Sequence, residues 1–250
     1  MRMTYPVVRV AHRGASVECP ENTLMAFRRA MEHGIDALEI DLHLTRDYHL
    51  VVIHDDELGR TTNGTGRVGE QTLAQILRLD AGQGEGVPEL GEVLQLVKDS
   101  QVRLCIEIKG SNDVESLETT DAAVHAIEAA NLIGRVIITS FNPASLLRAK
   151  WLNPGLSTML DPSPQDGSLT PRQICEQGLR AGANCLSYDF QHVTQWVGEE
   201  ARLSGLALWP WNPNTPDQID TMLRLGVPGI MTDRPEVLNK AIQDFGNPYL

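Results

Sequence analysis

The chain has 250 residues, 33 acidic against 21 basic side chains and a formal net charge of −12. With 42% hydrophobic and 22% charged residues it falls in the globular range, and no low-complexity block or long polar tract points to disorder. The acidic balance, with no basic stripe, argues against a nucleic-acid or anionic-membrane surface and leaves an anionic small substrate possible only where cations gather locally.

At this length the chain can form two small domains or one large α/β barrel. The N-terminal apolar run is broken by Arg9 and is too short for a signal-peptide core. No stretch approaches the roughly 18 apolar residues of a membrane span. The expectation is a soluble cytoplasmic protein without membrane insertion. Cys19, Cys105, Cys175 and Cys185 are widely spaced and form no C-x-x-C pair, so they read as ordinary thiols. Nothing in the pattern fixes an oligomeric state.

In chain order, short apolar runs alternate with segments of helical spacing: VVRVA, ALEIDL, VRLCIEI, RVIITS, LSTML, NCLSY, LALWP and GIMTD. The first helix, in NTLMAFRRAMEHG, has Asn22 as candidate N-cap and Gly34 as candidate stop. A ninth run, LVVIH at Leu50 to His54, follows ALEIDL too closely for a parallel crossover, so it is expected to fold back as a hairpin arm through TRDYH. Eight βα units predict an α/β fold of the (βα)8 TIM-barrel type spanning 1–250 as one domain, with an open doubly wound sheet as the alternative. The Gly-rich segment at about 56–88 is expected to form a small insertion over one end of the barrel.

The two-residue strand period sets Glu39 and Asp41 on one face, opposite Leu38, Ile40 and Leu42, and sets Glu107 with Lys109 opposite Leu104, Ile106 and Ile108. Three carboxylates at the C-terminal ends of barrel strands fall where this architecture builds active sites, and together they call for a cation. All-oxygen ligation favours one divalent Mg²⁺, Ca²⁺ or Mn²⁺ over zinc. The plain structural alternative is a Glu107–Lys109 ion pair with Glu39 and Asp41 solvated at a strand end.

His12 ends the first strand and His54 the hairpin arm, so two imidazoles can flank the acids as general base and general acid. His33, His43, His49, His125 and His192 lack such company and read as structural, although His43 shares a face with Glu39 and Asp41. Arg13 offers a planar fork for phosphate, and Gly14 frees the backbone to aim it. The alternative for Arg13 is a surface bridge to Glu21.

The order AHRG, PENT, EIDLHLTRD, VVIHDDELGRTTNGTG, PELGEVL, IEIKG and GIMTDRP resembles the glycerophosphodiester phosphodiesterases over nearly the whole chain. The resemblance implies Glu39, Asp41 and Glu107 as ligands of the divalent ion, His12 and His54 as the acid–base pair, leaning to His12 as base, and Arg13 and Lys109 as holders of the phosphate. It also implies a glycerophosphodiester as substrate, with sn-glycerol 3-phosphate and an alcohol as products. Near the seventh strand the family often carries W-T-V-N; here Trp209, Pro210, Trp211 and Asn212 stand there. Trp209, Trp211 and Asn212 are thereby expected around the substrate, with the second tryptophan altering the pocket, unless either ring only fills the barrel mouth. Two other readings compete: a Schiff-base enzyme using Lys109, and a phosphate-ligand binding protein without turnover.

Overall fold

The computed structural model describes residues 7–246; the segment 1–6, part of the stretch read as lacking a leader, lies outside the described residues. Eight strands run parallel: β1 (Val8–His12), β2 (Ala37–Leu44), β4 (Arg103–Ile108), β5 (Val136–Ser140), β6 (Ser157–Leu160), β7 (Cys185–Asp189), β8 (Ala207–Trp211) and β9 (Gly229–Thr232). Their order is β8-β7-β6-β5-β4-β2-β1-β9, a nearly closed TIM barrel. At the seam between β8 and β9 the Thr232 hydroxyl donates to the Pro213 carbonyl (2.9 Å) and to Asn214 Oδ1 (2.7 Å).

β3 (Leu50–Val52) pairs antiparallel with β2, as the hairpin reading expects. The arm is shorter than Leu50–His54: after Val52 the ladder gives way to a single bond from Ile53 N to Asp41 O, and His54 swings free of the sheet.

Helices α1 (Leu24–Glu32), α3 (Leu90–Lys98), α4 (Asp113–Ala129), α5 (Pro143–Leu152), α6 (Pro171–Arg180), α7 (Gln195–Leu203), α8 (Pro216–Leu225) and α9 (Pro235–Gly246) surround the strands. Helices α6 and α8 start on Thr-Pro, where the threonine caps the first turn and proline contributes a pre-set φ. The N-cap of α1 is Thr23, whose hydroxyl accepts from Ala26 N, and not Asn22. Asn22 instead adopts φ +58 and turns its amide to the mouth of the barrel. Gly34 ends α1 in the left-handed region (φ +73), as expected.

Two apolar layers hold the fold. Leu38, Ile40, Leu104, Ile106 and Ile138 face outward and are fully buried under the helices, each contributing about 1.5–3 kcal/mol on burial. Inside the barrel, Val10, Ala37, Cys105, Met159, Cys185, Trp209 and Met231 form an apolar plug. The polar mouth lies above this plug, at the C-terminal ends of the strands. The insertion 56–88 carries two 3-10 turns (Leu58–Arg60 and Val68–Glu70) and the short helix α2 (Leu73–Ile76). Leu58, Val68, Ile76, Ala81 and Val87 pack it onto Val51 and Ile53 of the hairpin arm.

Candidate active site

Strand register assembles the mouth. His12 stands beside Glu39 in the β1–β2 ladder, and Asp41 beside Glu107 in the β2–β4 ladder. Asp41 and Glu107, 66 positions apart in sequence, thus become neighbours on one sheet. One oxygen from each of Glu39, Asp41 and Glu107 lies within 4.8 Å of the others. Glu39 and Asp41 are 1% and 0% exposed, so neither is solvated at a strand end.

Cations face the acids from two sides. Lys109 Nζ lies 2.5 Å from Glu107 Oε1 and 3.1 Å from Asp41 Oδ1. Arg13 Nε lies 3.3 Å from Asp41 Oδ2 and its Nη1 3.0 Å from Glu21 Oε1. Both ion pairs of the plain alternatives are therefore present, yet each cation also reaches into the acid cluster. Arg13 is fixed by its backbone: at φ +57 its N–H donates to Glu39 Oε2 at 3.0 Å. The following Gly14 (φ +82) passes so close to α1 that a Cβ there would lie 2.7 Å from the Ala26 carbonyl carbon.

Charge is unbalanced in this cluster. Burial, reinforced by Asp41 and Glu107, pushes Glu39 well above the usual carboxylate range. Burial pushes Glu107 up to about 8 in spite of its Lys109 contact. For Asp41 burial is outweighed by Lys109 and Arg13, which hold it well below its ordinary value. Three carboxylates thus face two cations, which leaves negative charge in excess. Glu39 Oε1 and Asp41 Oδ1 are buried without a hydrogen-bond donor; Lys109 approaches the latter outside hydrogen-bond geometry. Converging oxygens with unused lone pairs and excess negative charge fit a hard divalent ion. Lys109 is held above its ordinary value by Asp41 and Glu107 despite burial, the opposite of what a Schiff-base nucleophile requires.

Each histidine at the mouth gives Nδ1 to a carboxylate. His12 Nδ1 lies 2.6 Å from Asp233 Oδ1, and Asp233 is held by Asn214, whose Nδ2 donates to Oδ2 at 2.6 Å and whose Oδ1 accepts from Asp233 N at 2.9 Å. His54 Nδ1 lies 2.5 Å from Asp55 Oδ1. Arg60, from the insertion, clamps Asp55 and makes a two-pronged pair with Glu21 (2.7 and 3.0 Å). Arg60 holds Asp55 down at about 2. Burial, with Lys109 and Arg13 nearby, lowers His54 against the pull of Asp41. His43 does share the neighbourhood: its Nε2 donates to the His54 carbonyl at 3.0 Å.

Trp211 and Asn212 come to the cavity at the mouth, of about 170 Å³, together with His12, His54 and Lys109. Asn212 Nδ2 stands 2.9 Å from His12 Nδ1 and 3.5 Å from Asp233 Oδ1. Trp209, expected around the substrate, lies in the apolar plug below, packed tightly over Gly229. Successive residues of a strand alternate sides, so with Trp211 at the rim, Trp209 falls one layer deeper on the same inner face.

Several functional neighbours escaped the sequence reading: Asp233, Asp55, Arg60, Asn22, and Asp161 on the far wall. Asn22 Nδ2 donates to Asp41 Oδ2 at 2.8 Å. Asp55 and Asp233 were visible as polar residues directly following H in H-D and T in GIMTD, and Asp161 as the acid directly following LSTML.

A TIM barrel whose mouth gathers three converging acids, two cations and two carboxylate-backed histidines has the equipment of a hydrolase acting on an anionic ester. The model of the Glycerophosphoryl diester phosphodiesterase family matches residues 12–237. The chain is 39% identical over 244 residues to a glycerophosphodiester phosphodiesterase of Caldanaerobacter subterraneus subsp. tengcongensis, covering 95% of this chain and 98% of that one. A solved structure from Silicibacter pomeroyi superposes with TM-score 0.90 at 28% identity, covering 97% and 95% of the two chains. A phosphodiesterase of Oleispira antarctica, solved with the product sn-glycerol-3-phosphate, superposes with TM-score 0.83 at 26% identity, covering 96% and 97%. The chain belongs to the glycerophosphoryl diester phosphodiesterase family and is an enzyme of that activity. Among the described residues no helix is long and apolar enough to cross a membrane.

Proposed function

We propose that the chain hydrolyses glycerophosphodiesters to sn-glycerol 3-phosphate and an alcohol, with one divalent ion (Mg²⁺, Ca²⁺ or Mn²⁺) held by Glu39, Asp41 and Glu107. The observation that carries this reading is the convergence of those three carboxylates between two imidazoles, with Glu39 Oε1 buried and without a donor. When bound, such an ion neutralises charge developing on a non-bridging phosphate oxygen and makes the attacking hydroxyl more acidic.

The protein's own groups do the rest. Arg13 and Lys109, both charged and fixed against Asp41, hold the phosphate oxygens. His12 Nε2, 3.9 Å from Glu39 Oε2, takes the proton of the nucleophile as its P–O bond forms. His54, the more exposed of the pair with 31% of its side chain exposed against 14%, gives a proton to the alkoxide as the second P–O bond breaks. Asp233 and Asp55 fix both rings with Nε2 free for these transfers.

The test is release of sn-glycerol 3-phosphate from glycerophosphocholine, measured with Mg²⁺, Ca²⁺ or Mn²⁺ and again in excess EDTA. Turnover that requires the ion supports the reading. Full activity in EDTA with no metal found by elemental analysis removes the ion. Tight substrate binding without turnover leaves the binding-protein reading.

A further inference from the structure

The barrel wall facing the catalytic groups is built around a fourth acid. In the ring of strands β6 lies diametrically across from β1, so Asp161, directly after β6, faces His12 over the cavity. It is 5% exposed, and among the described residues it has no ion-pair partner within 4 Å. The Thr139 hydroxyl donates to Oδ2 at 2.9 Å and the Trp211 indole N–H to Oδ1 at 3.1 Å. The Ser187 hydroxyl lies close enough to stabilise its charge. A carboxylate offers about four lone-pair positions, and these neighbours leave acceptor capacity turned toward the cavity.

Against the W-T-V-N pattern this sequence differs at Pro210 and at Trp211, and the Trp211 N–H is spent on Asp161. On this wall hydroxyls and an indole N–H from β5, β7 and β8 orient one buried acceptor.

Resting on the function proposed above, we infer that Asp161 is a specificity-determining residue that accepts a hydrogen bond from a free hydroxyl of the substrate's glyceryl arm. A buried acceptor left empty by a substrate lacking that hydroxyl is costly, so the site discriminates against the deoxy analogue. An ammonium head group is the other donor that could reach a carboxylate. The same cavity already holds Lys109 and Arg13, and a divalent ion adds to them, so a neutral hydroxyl meets less repulsion there. Burial raises Asp161 to about 6 against the pull of its hydroxyl and indole donors and of Lys109.

The experiment compares kcat/KM of the full-length, metal-supplied enzyme on glycerophosphoethanolamine, on its analogue in which propane-1,2-diol replaces glycerol, and on glycerophosphoglycerol, whose head group is neutral. Wild type is expected to prefer glycerol over the diol by at least about 10²-fold. Asp161→Asn should lower that preference at least tenfold while the ethanolamine-to-glycerol head-group ratio holds. Trp211→Phe, which removes the orienting N–H together with part of the indole ring but leaves the Asp161 carboxylate in place, should lower the same preference by a smaller factor. A fall in the head-group ratio instead assigns Asp161 to the ammonium and overturns the inference. An unchanged preference in both variants, with circular dichroism showing intact folds, overturns it as well. Wild type that releases no sn-glycerol 3-phosphate from any of these diesters defeats the function itself, a separate outcome.

Discussion

His12 Nδ1 and Asp233 Oδ1 lie 2.6 Å apart, although 221 positions separate them in the chain. The pair joins the first strand to the residue following the last one, across the strands that close the barrel. Asp233 is itself held by two contacts to Asn214, which the Thr232 hydroxyl fixes at the seam, so the imidazole cannot rotate or exchange its tautomer without breaking a network. Asp233→Asn is expected to lower kcat by about 10²- to 10⁴-fold with KM and Tm little moved. Loss of KM and Tm together with kcat would show a structural role only.

Arg60 links the insertion to chemistry. Its guanidinium spans Asp55, behind His54, and Glu21, behind Arg13. Removing it leaves two carboxylates facing each other and frees both supports at once. Arg60→Gln should therefore cost about 10- to 100-fold in kcat and shift the pH profile through His54. Arg60→Lys should rescue little, because one ammonium cannot make a forked contact with both acids. Equal rates for all three proteins over pH 5–9 would leave Arg60 as a surface residue.

Much of this arrangement was legible in the sequence, for identifiable reasons. Alternation in ALEIDL and VRLCIEI fixed which side chains enter the barrel, and the βα rhythm fixed the architecture, because both follow from local periodicity. Spacing also separated the hairpin arm from the true barrel strands. Asn22 was misread as a helix cap: asparagine suits both a cap and a left-handed turn, and only the tertiary position of Asp41 selects the second. Asp233 and Asp161 were not legible as site residues, since a single acid after an apolar run is common, and its meaning comes from partners on distant strands. Trp209 and Trp211 share a face and lie one layer apart, but which of the two reaches the rim is set by strand stagger that no local pattern encodes.

Leaving-group chemistry separates the two histidines. A general acid matters little when the departing group is already stable as an anion. On glycerophosphocholine both His12→Ala and His54→Ala should lose about 10²- to 10⁴-fold in kcat. On bis(p-nitrophenyl) phosphate, His54→Ala should recover most of its deficit and His12→Ala should not. The reverse pattern would exchange the two roles.

The apolar plug beneath the site is filled to contact. A methyl group on Gly229 would come within 2.7 Å of the Trp209 ring, which has no open side to move toward inside the barrel. Gly229→Ala is expected to lower stability by about 1–3 kcal/mol, read as a shift of the urea midpoint at constant m. A change under about 0.5 kcal/mol would mean that the plug has slack.

The charge imbalance at the mouth gives stability a pH dependence with a definite sign. Glu39 is raised, and Glu107 is raised to about 8, against an unfolded glutamate near about 4.3. Between these values the folded protein holds more protons than the unfolded chain, so metal-free stability is greatest below about pH 4.3 as far as these groups act, and is lost as pH rises through 8. Asp41, depressed, contributes in the opposite sense, but only in acid below its ordinary range. The Tm of the EDTA-treated protein should accordingly fall from pH 5.5 to pH 8.5. A divalent ion competes with the retained proton, so its Tm increment should grow over the same interval, and calorimetry at pH 7 in buffers of different ionisation enthalpy should register proton release on binding. A metal-free Tm that rises with pH, together with a metal increment independent of pH and no proton release, would show that the three carboxylates are already ionised and that another group compensates their charge.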